Sequence, residues 1–214
     1  MTYILDEQTA ARLIAAGNVV ALPTETFYGL AASPLRGDAL SLLTRIKGRD
    51  EGKPVGLIAS DTQAITSVTG PLSDPVAQLA HAAWPGPLTI VFPALPDAHP
   101  IVTGGTNTVA IRVPSWEPAR TLARLSGGLI TATSANKQGQ PPPRTAEDVI
   151  RAFQHELDND LLAGIATGGQ TPGDKPSTLV RPDGTTLTVL REGAVDVTAL
   201  RRIWSGDIVL AKPQ

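Results

Sequence analysis

Lys47-Gly48-Arg49-Asp50-Glu51-Gly52-Lys53-Pro54 is the densest run of cations in the chain, and its spacing suits the capture of an anion. A backbone turn between a helix and a strand can aim Lys47, Arg49 and Lys53 at one point. The same residues also fit a solvated helix C-terminus, where cations sit well against the dipole, and the loop alone does not separate the two readings. A second polar group is Pro23-Thr24-Glu25-Thr26-Phe27-Tyr28-Gly29-Leu30, in which hydroxyls, a carboxylate and a phenol follow an apolar run. Strand ends are where α/β proteins keep the polar groups of their sites. A Pro/Thr turn whose hydroxyls bond the local backbone accounts for the segment equally well. Arg112 alternates with apolar neighbours in Thr108-Val109-Ala110-Ile111-Arg112-Val113 and shares a face with Thr108. An arginine within a strand normally sits at an edge or in solvent. A further hydroxyl and amide arrive in Thr133-Ser134-Ala135-Asn136, after the apolar run Leu129–Ala132.

The elements that must hold these groups alternate between helix and strand. Asp6 is placed to cap a helix over Glu7–Ala16 closed by Gly17, and Val19–Leu22 reads as a strand covered on both faces. Asp38 is expected to cap the next helix, with apolar residues at 39, 40, 42, 43 and 46 and Gly48 as its stop. Val55–Ala59 follows as a short buried strand after Pro54, and Asp61 is placed to cap a short helix. Asp74–Trp84 and Pro118–Leu125 are helical by periodicity, and Trp84-Pro85-Gly86-Pro87 stops the first of them. Leu88–Phe92, Thr108–Val113 and Leu129–Ala132 are strands. Thr145 with Asp148 three residues on forms a capping box. Ser177–Arg181 and Thr186–Arg191 flank the hairpin signal Pro182-Asp183-Gly184, and Val197–Trp204 is a final helix. The pattern is an α/β protein, with 1–214 expected as a single domain.

Composition removes several classes of function. With a formal net charge of -2, the 214-residue chain is not a polycation, so strong sequence-independent nucleic-acid binding is not implied, although a local basic cleft is compatible with it. The absence of cysteine excludes disulfides, thiolate zinc sites and cysteine nucleophiles. His81, His99 and His155 are scattered and assemble neither a metal cluster nor a Ser/His/Asp triad. Gly168-Gly169-Gln170-Thr171-Pro172-Gly173-Asp174-Lys175 has P-loop-like glycines, but Asp174 interrupts the motif and no hydroxyl follows Lys175. There is no G-x-G-x-x-G after the first strand. No apolar stretch approaches 18 residues, and the N-terminus lacks a basic flank, so a soluble cytoplasmic protein with no membrane partner is expected.

Taken in order, seven short segments carry a resemblance that none carries alone. They are Pro23–Leu30, Lys47-Gly48-Arg49, Trp84–Thr89, Val109–Pro114, Thr133–Asn136, Pro176-Ser177-Thr178 and Leu190–Ala194. Together they resemble the YrdC-like family of threonylcarbamoyl-AMP synthases over nearly the whole chain. The resemblance implies an open, twisted, mixed α/β sheet with helices on both sides and a deep cationic cavity. It also implies that L-threonine, bicarbonate or CO2, and ATP give threonylcarbamoyl-AMP and pyrophosphate. Partner proteins then transfer the threonylcarbamoyl group to an adenosine next to the anticodon of certain tRNAs. The family's catalytic set falls on Lys47, Arg49, Ser134 and Asn136. Arg49, Lys53, Thr108, Ser134, Asn136 and Arg191 would serve ATP, and Thr26, Arg112 and Ser177 would serve threonine, Arg112 as the fork for its carboxylate. Mg2+ is expected to come with ATP, no protein ligand to a metal is assigned, and no residue is assigned as general base. In-line attack on phosphorus needs cations more than a protein acid or base, which suits this inventory.

Three departures from the family pattern accompany the match. A histidine common in the family near the threonine is absent from Val55-Gly56-Leu57-Ile58, and Pro141-Pro142-Pro143 stands where a serine is usual. The C-terminal extension of the family's longer branch is not part of this chain, which points to the short, typically bacterial branch. A related carbamoyl-transfer enzyme of hydrogenase maturation is fused to zinc-finger modules, for which the cysteines are missing. A weakly RNA-binding module also fits, since a cationic cavity attracts phosphates of any origin. A non-catalytic paralogue would share the fold, but the intact Lys47/Arg49 and Ser134/Asn136 pairs oppose it.

Overall fold

In the computed structural model, which describes residues 3–48 and 52–211, the strands form two mixed sheets joined along a seam. The first sheet has the order β1 (Ile4–Leu5), β9 (Leu162–Ala166), β2 (Val19–Leu22), β3 (Gly29–Ala31), β8 (Thr133–Ser134). The second has the order β12 (Asp207–Leu210), β11 (Thr186–Arg191), β10 (Thr178–Asp183), β5 (Leu88–Pro93), β6 (Thr108–Arg112), β4 (Leu57–Ala59), β7 (Leu129–Thr131). Parallel pairs such as β2 with β9 and β4 with β6 alternate with antiparallel pairs such as β2 with β3 and β5 with β6.

Period-2 alternation sends the two faces of each strand to different helices. In β2, Val19 and Ala21 join the cluster under α2 (Gly37–Lys47) and α7 (Ala146–Asp158), whereas Val20 and Leu22 face α1 (Glu7–Ala15) and α6 (Glu117–Leu125). In β4, Leu57 and Ala59 turn to the cluster containing α4 (Asp74–Ala83) and α8 (Val197–Ile203), while Ile58 turns to α6. Two four-residue helices, α3 (Thr66–Thr69) and α5 (Pro100–Thr103), complete the set. Helices therefore cover both sides, as the family resemblance implies, and each large apolar side chain so buried contributes about 1.5–3 kcal/mol. Among the described residues no helix is long and apolar enough to cross a membrane.

The seam lies where the chain leaves β7 for β8 at Ala132. Thr131 there donates its N–H to Ala32 O (2.9 Å) and accepts the Ala32 N–H on its hydroxyl (2.8 Å), while Ala132 N–H reaches Gly56 O (2.7 Å). The approach is close enough that a Cβ on Gly56 would stand 3.3 Å from Ala132 O. Backbone from both sheets is thus brought together with little side-chain filling, and a cavity opens beside it.

Local signals hold in most elements. Asp6 caps α1 by accepting from Thr9 N, Gly48 ends α2 in the left-handed conformation (φ 60°), and Thr145 caps α7 by accepting from Asp148 N. Two expectations need correction. Asp38 is not the cap of α2, because the helix already begins at Gly37 with Arg36 in the cap position. Asp38 instead lies in the first turn, accepting from Ala39 N (2.8 Å) and pairing with Arg36, where a carboxylate still meets the positive end of the dipole. Asp61 accepts from Gln63 N and Ala64 N in a turn, and helix α3 starts only at Thr66.

Candidate active site

A cavity of about 820 Å3 follows the seam and is lined from both sheets. Helix α2 delivers its cation from the last turn: Lys47 is buried, and its ammonium donates to the Ser134 backbone oxygen, to Ser134 Oγ (3.2 Å) and to Asn136 Oδ1 (2.7 Å). Ser134 Oγ donates in turn to Asn136 Oδ1 (2.6 Å), and Asn136 Nδ2 donates to Gln140 O. These oxygens are acceptors that hold the ammonium in place. Leaving β8, the chain passes through Ser134 and turns at Asn136, which is why residues almost ninety positions apart from Lys47 close this network. Lys53 also lines the cavity.

The opposite end is built on β6. Arg112 is buried between β5 and β4, and its Nη1 donates to Glu25 Oε1 (2.7 Å) and Thr26 Oγ1 (3.3 Å). Strand arginines normally sit at an edge or in solvent, but here the Glu25 carboxylate supplies the countercharge that a buried guanidinium requires. The two side chains are only 9% and 11% exposed. Burial pulls the Arg112 guanidinium below its ordinary pKa, Glu25 opposes that shift, and nearby Arg191 adds to it. Burial lowers Arg191 as well. Thr24 and Thr26 share a hydroxyl contact (3.0 Å), and Thr24 Oγ1 donates to Phe27 O (2.9 Å), so the Pro/Thr turn reading is also correct locally. Across the cavity Thr89 Oγ1 meets Ser177 Oγ (2.8 Å), and Arg191 Nη2 donates to Ser177 O (2.9 Å) and Ser177 Oγ (3.3 Å).

Of the residues expected at the site, Lys47, Lys53, Ser134, Asn136, Arg191, Thr26, Arg112 and Ser177 line this one cavity. Thr108 is not among the lining residues, and its hydroxyl instead contacts Thr106 Oγ1 (2.8 Å). Arg49 lies outside the described residues. Ile58, near the missing histidine, points into the α1/α6 core, and Gly56 and Leu57 line the cavity in its place. The proline run takes part through Pro142 in the wall and through Pro143 O, which accepts from Tyr28 N (3.0 Å). Tyr28 OH donates to Gly169 O (2.6 Å), and burial pushes its pKa up to about 12, so it is no acid or base at neutral pH. Glu25, Thr24 and Thr89 acquire roles that sequence reasoning left unassigned. Thr24 and Glu25 were signalled by their place in the polar run after the first buried strand, and Thr89 only by membership of a family-like segment.

The Sua5/YciO/YrdC family model, described as telomere recombination, matches residues 12–193. The chain belongs to this family. A Bacillus subtilis (strain 168) protein named threonylcarbamoyl-AMP synthase is 40% identical over 187 residues, 87% of this chain and 53% of that protein. A relative of the same name from Thiobacillus denitrificans is 43% identical over 137 residues, 64% of this chain and 73% of its own. This family member therefore spans about half the length of the Bacillus relative. Among solved structures, P. abyssi Sua5 complexed with L-threonine superposes with a TM-score of 0.89 at 30% identity, covering 98% of this chain and 63% of that one.

Proposed function

We propose that this member of the Sua5/YciO/YrdC family is an L-threonylcarbamoyladenylate synthase. The observation that carries the reading is the two-ended cavity: a lysine held by Ser134 and Asn136 at one end and a buried, forked cation among hydroxyls at the other. The names of its relatives and the L-threonine complex of a protein of the same fold support it.

In this reading the threonine α-carboxylate lies against Arg112, with Thr26 and Ser177 beside it, and the triphosphate lies toward Lys47 and Lys53. Arg49, Asn136, Ser134 and Arg191 serve the nucleotide. The neutral threonine amine adds to CO2, forming the C–N bond, and its proton passes to solvent to leave a carbamate. A carbamate oxygen then attacks the α-phosphorus, the bond to the bridging β-oxygen breaks, and pyrophosphate leaves with that electron pair. Lys47, held still by Ser134 and Asn136, stabilises charge on the phosphates without reorganising at the moment of reaction. Arg191 bonds Ser177, so the boundary between the nucleotide and threonine ends runs through that pair.

The described lining offers no carboxylate or imidazole, and no group of three or more His, Asp or Glu among the described residues could hold a metal. The described residues thus supply no ligand set for Mg2+, and the ion is proposed to arrive on the phosphate oxygens of ATP. Transfer of the product to tRNA by partner proteins, a cytoplasmic location and a single-domain organisation belong to the same proposal. Pyrophosphate release by the purified protein with MgATP tests it: release is expected only with threonine and bicarbonate together, and equal release with other amino acids would exclude the substrate. The specific observation favouring a second reading, an RNA-binding module, is the cationic wall. That reading predicts RNA affinity that falls steeply with salt and is competed by ATP.

A further inference from the structure

Glu25 does not line the cavity, yet it is the group that makes Arg112 tolerable there. Its Oε1 takes Arg112 Nη1, while Oε2 is buried and has no hydrogen-bond partner. A residue kept only as a hydrogen-bond acceptor would need no second oxygen in so unfavourable a place. What the carboxylate supplies that an amide would not is charge. Arg191 lines the same cavity as Arg112 and is fixed on Ser177, at the boundary with the nucleotide end, so without a countercharge on Arg112 the two guanidinium groups would draw phosphate across that boundary. With Glu25 the three groups sum to one positive charge, which matches one carboxylate.

Resting on the assignment of the threonine carboxylate to Arg112, we propose that Glu25 is a specificity-determining positioning residue. It holds Nη1 so that the rest of the guanidinium fork serves the cavity, and it lowers the local charge so that this end accepts an amino-acid carboxylate and rejects phosphate. Such a device keeps ATP and the pyrophosphate product from binding in the wrong register.

The test is calorimetric titration of the full chain with threonine, with and without inorganic phosphate as the competing probe, in wild type, Glu25→Gln, Glu25→Asp and Arg112→Ala. Wild type should bind threonine with little effect of phosphate. In Glu25→Gln, which keeps the size and one acceptor but not the charge, phosphate should compete with threonine at least about tenfold more strongly, the scale of one unit charge at protein dielectric. Glu25→Asp retains the charge and should discriminate as wild type does. A folded Glu25→Gln with wild-type phosphate competition, or a Glu25→Asp that loses discrimination, would reduce Glu25 to a structural brace and overturn the proposal. If Arg112→Ala binds threonine as wild type does, the parent assignment fails and the inference falls with it, an outcome distinct from the first two.

Discussion

Replacing Arg112 by alanine should damage the protein twice, once in stability and once in threonine binding, and a second substitution should separate the damages. Arg112 Nη1 is the donor to Glu25 Oε1, and Oε2 of the same carboxylate is buried without a partner. Truncating the arginine therefore strands a carboxylate whose side chain is 11% exposed. Breaking a buried pair in this way costs about 3–5 kcal/mol. For a chain of this size about 1 kcal/mol moves Tm by roughly 2–4 °C, so a fall of about 6–20 °C is expected by scanning calorimetry. Loss of the charged partner of a desolvated ligand carboxylate is worth about 2–5 kcal/mol by analogy with truncated interface pairs. That corresponds to threonine binding weaker by roughly 30-fold to a few thousandfold, measured by titration, with ATP affinity kept within about threefold. Arg112→Lys should rescue little, because an ammonium cannot reproduce the fork. The double variant Arg112→Ala/Glu25→Gln should regain most of the Tm and none of the threonine affinity. A double variant as unstable as the single one, or threonine binding that returns with the Tm, would refute this account of the pair.

Three further perturbations test other parts of the site. Lys47→Met removes the donor to Ser134 and Asn136; kcat/KM for ATP should fall on the order of 10²-fold or more in a pyrophosphate assay, and a fall below tenfold would argue against its role at the phosphates. Tyr28 is raised from its ordinary value of 10.0 to about 12 by burial, so the folded state favours the neutral phenol. Its contribution is complete below pH 10 and is lost as pH rises toward about 12. Denaturant titrations should accordingly show Tyr28→Phe less stable at neutral pH but flatter between about pH 10 and 12, and identical slopes would count against the assignment. At Gly193 an added Cβ would lie 2.2 Å from Pro176 O and 2.7 Å from the Ser177 carbonyl. Gly193→Ala should therefore displace Ser177 and weaken threonine binding at least about tenfold with a lowered Tm, since the obstructing atoms are backbone and cannot swing away.

The elements governed by neighbours within one turn were legible from residue order alone. A hydroxyl or carboxylate ahead of an apolar period starts a helix, and glycine stops it, because the donors and acceptors concerned lie within a few residues. Asp6, Gly48 and Thr145 do this as expected, and the slip at Asp38 is a shift of position within the same first turn. The order and chemistry of seven short segments likewise sufficed to indicate the family and most of the cavity wall. Sheet membership was not legible in the same way. Strands as short as Ile4–Leu5, Thr133–Ser134 and Asp207–Leu210, and the strand Leu162–Ala166, exist through partners far along the chain, and the passage from one sheet to the other at Ala132 has no local signature. The position of Thr108 off the cavity wall is of the same kind. Most of all, whether Arg112 lies in solvent or in the core depended on a carboxylate 87 residues away. A charge can be buried only where its countercharge is delivered, and only the tertiary fold delivers Glu25 to it.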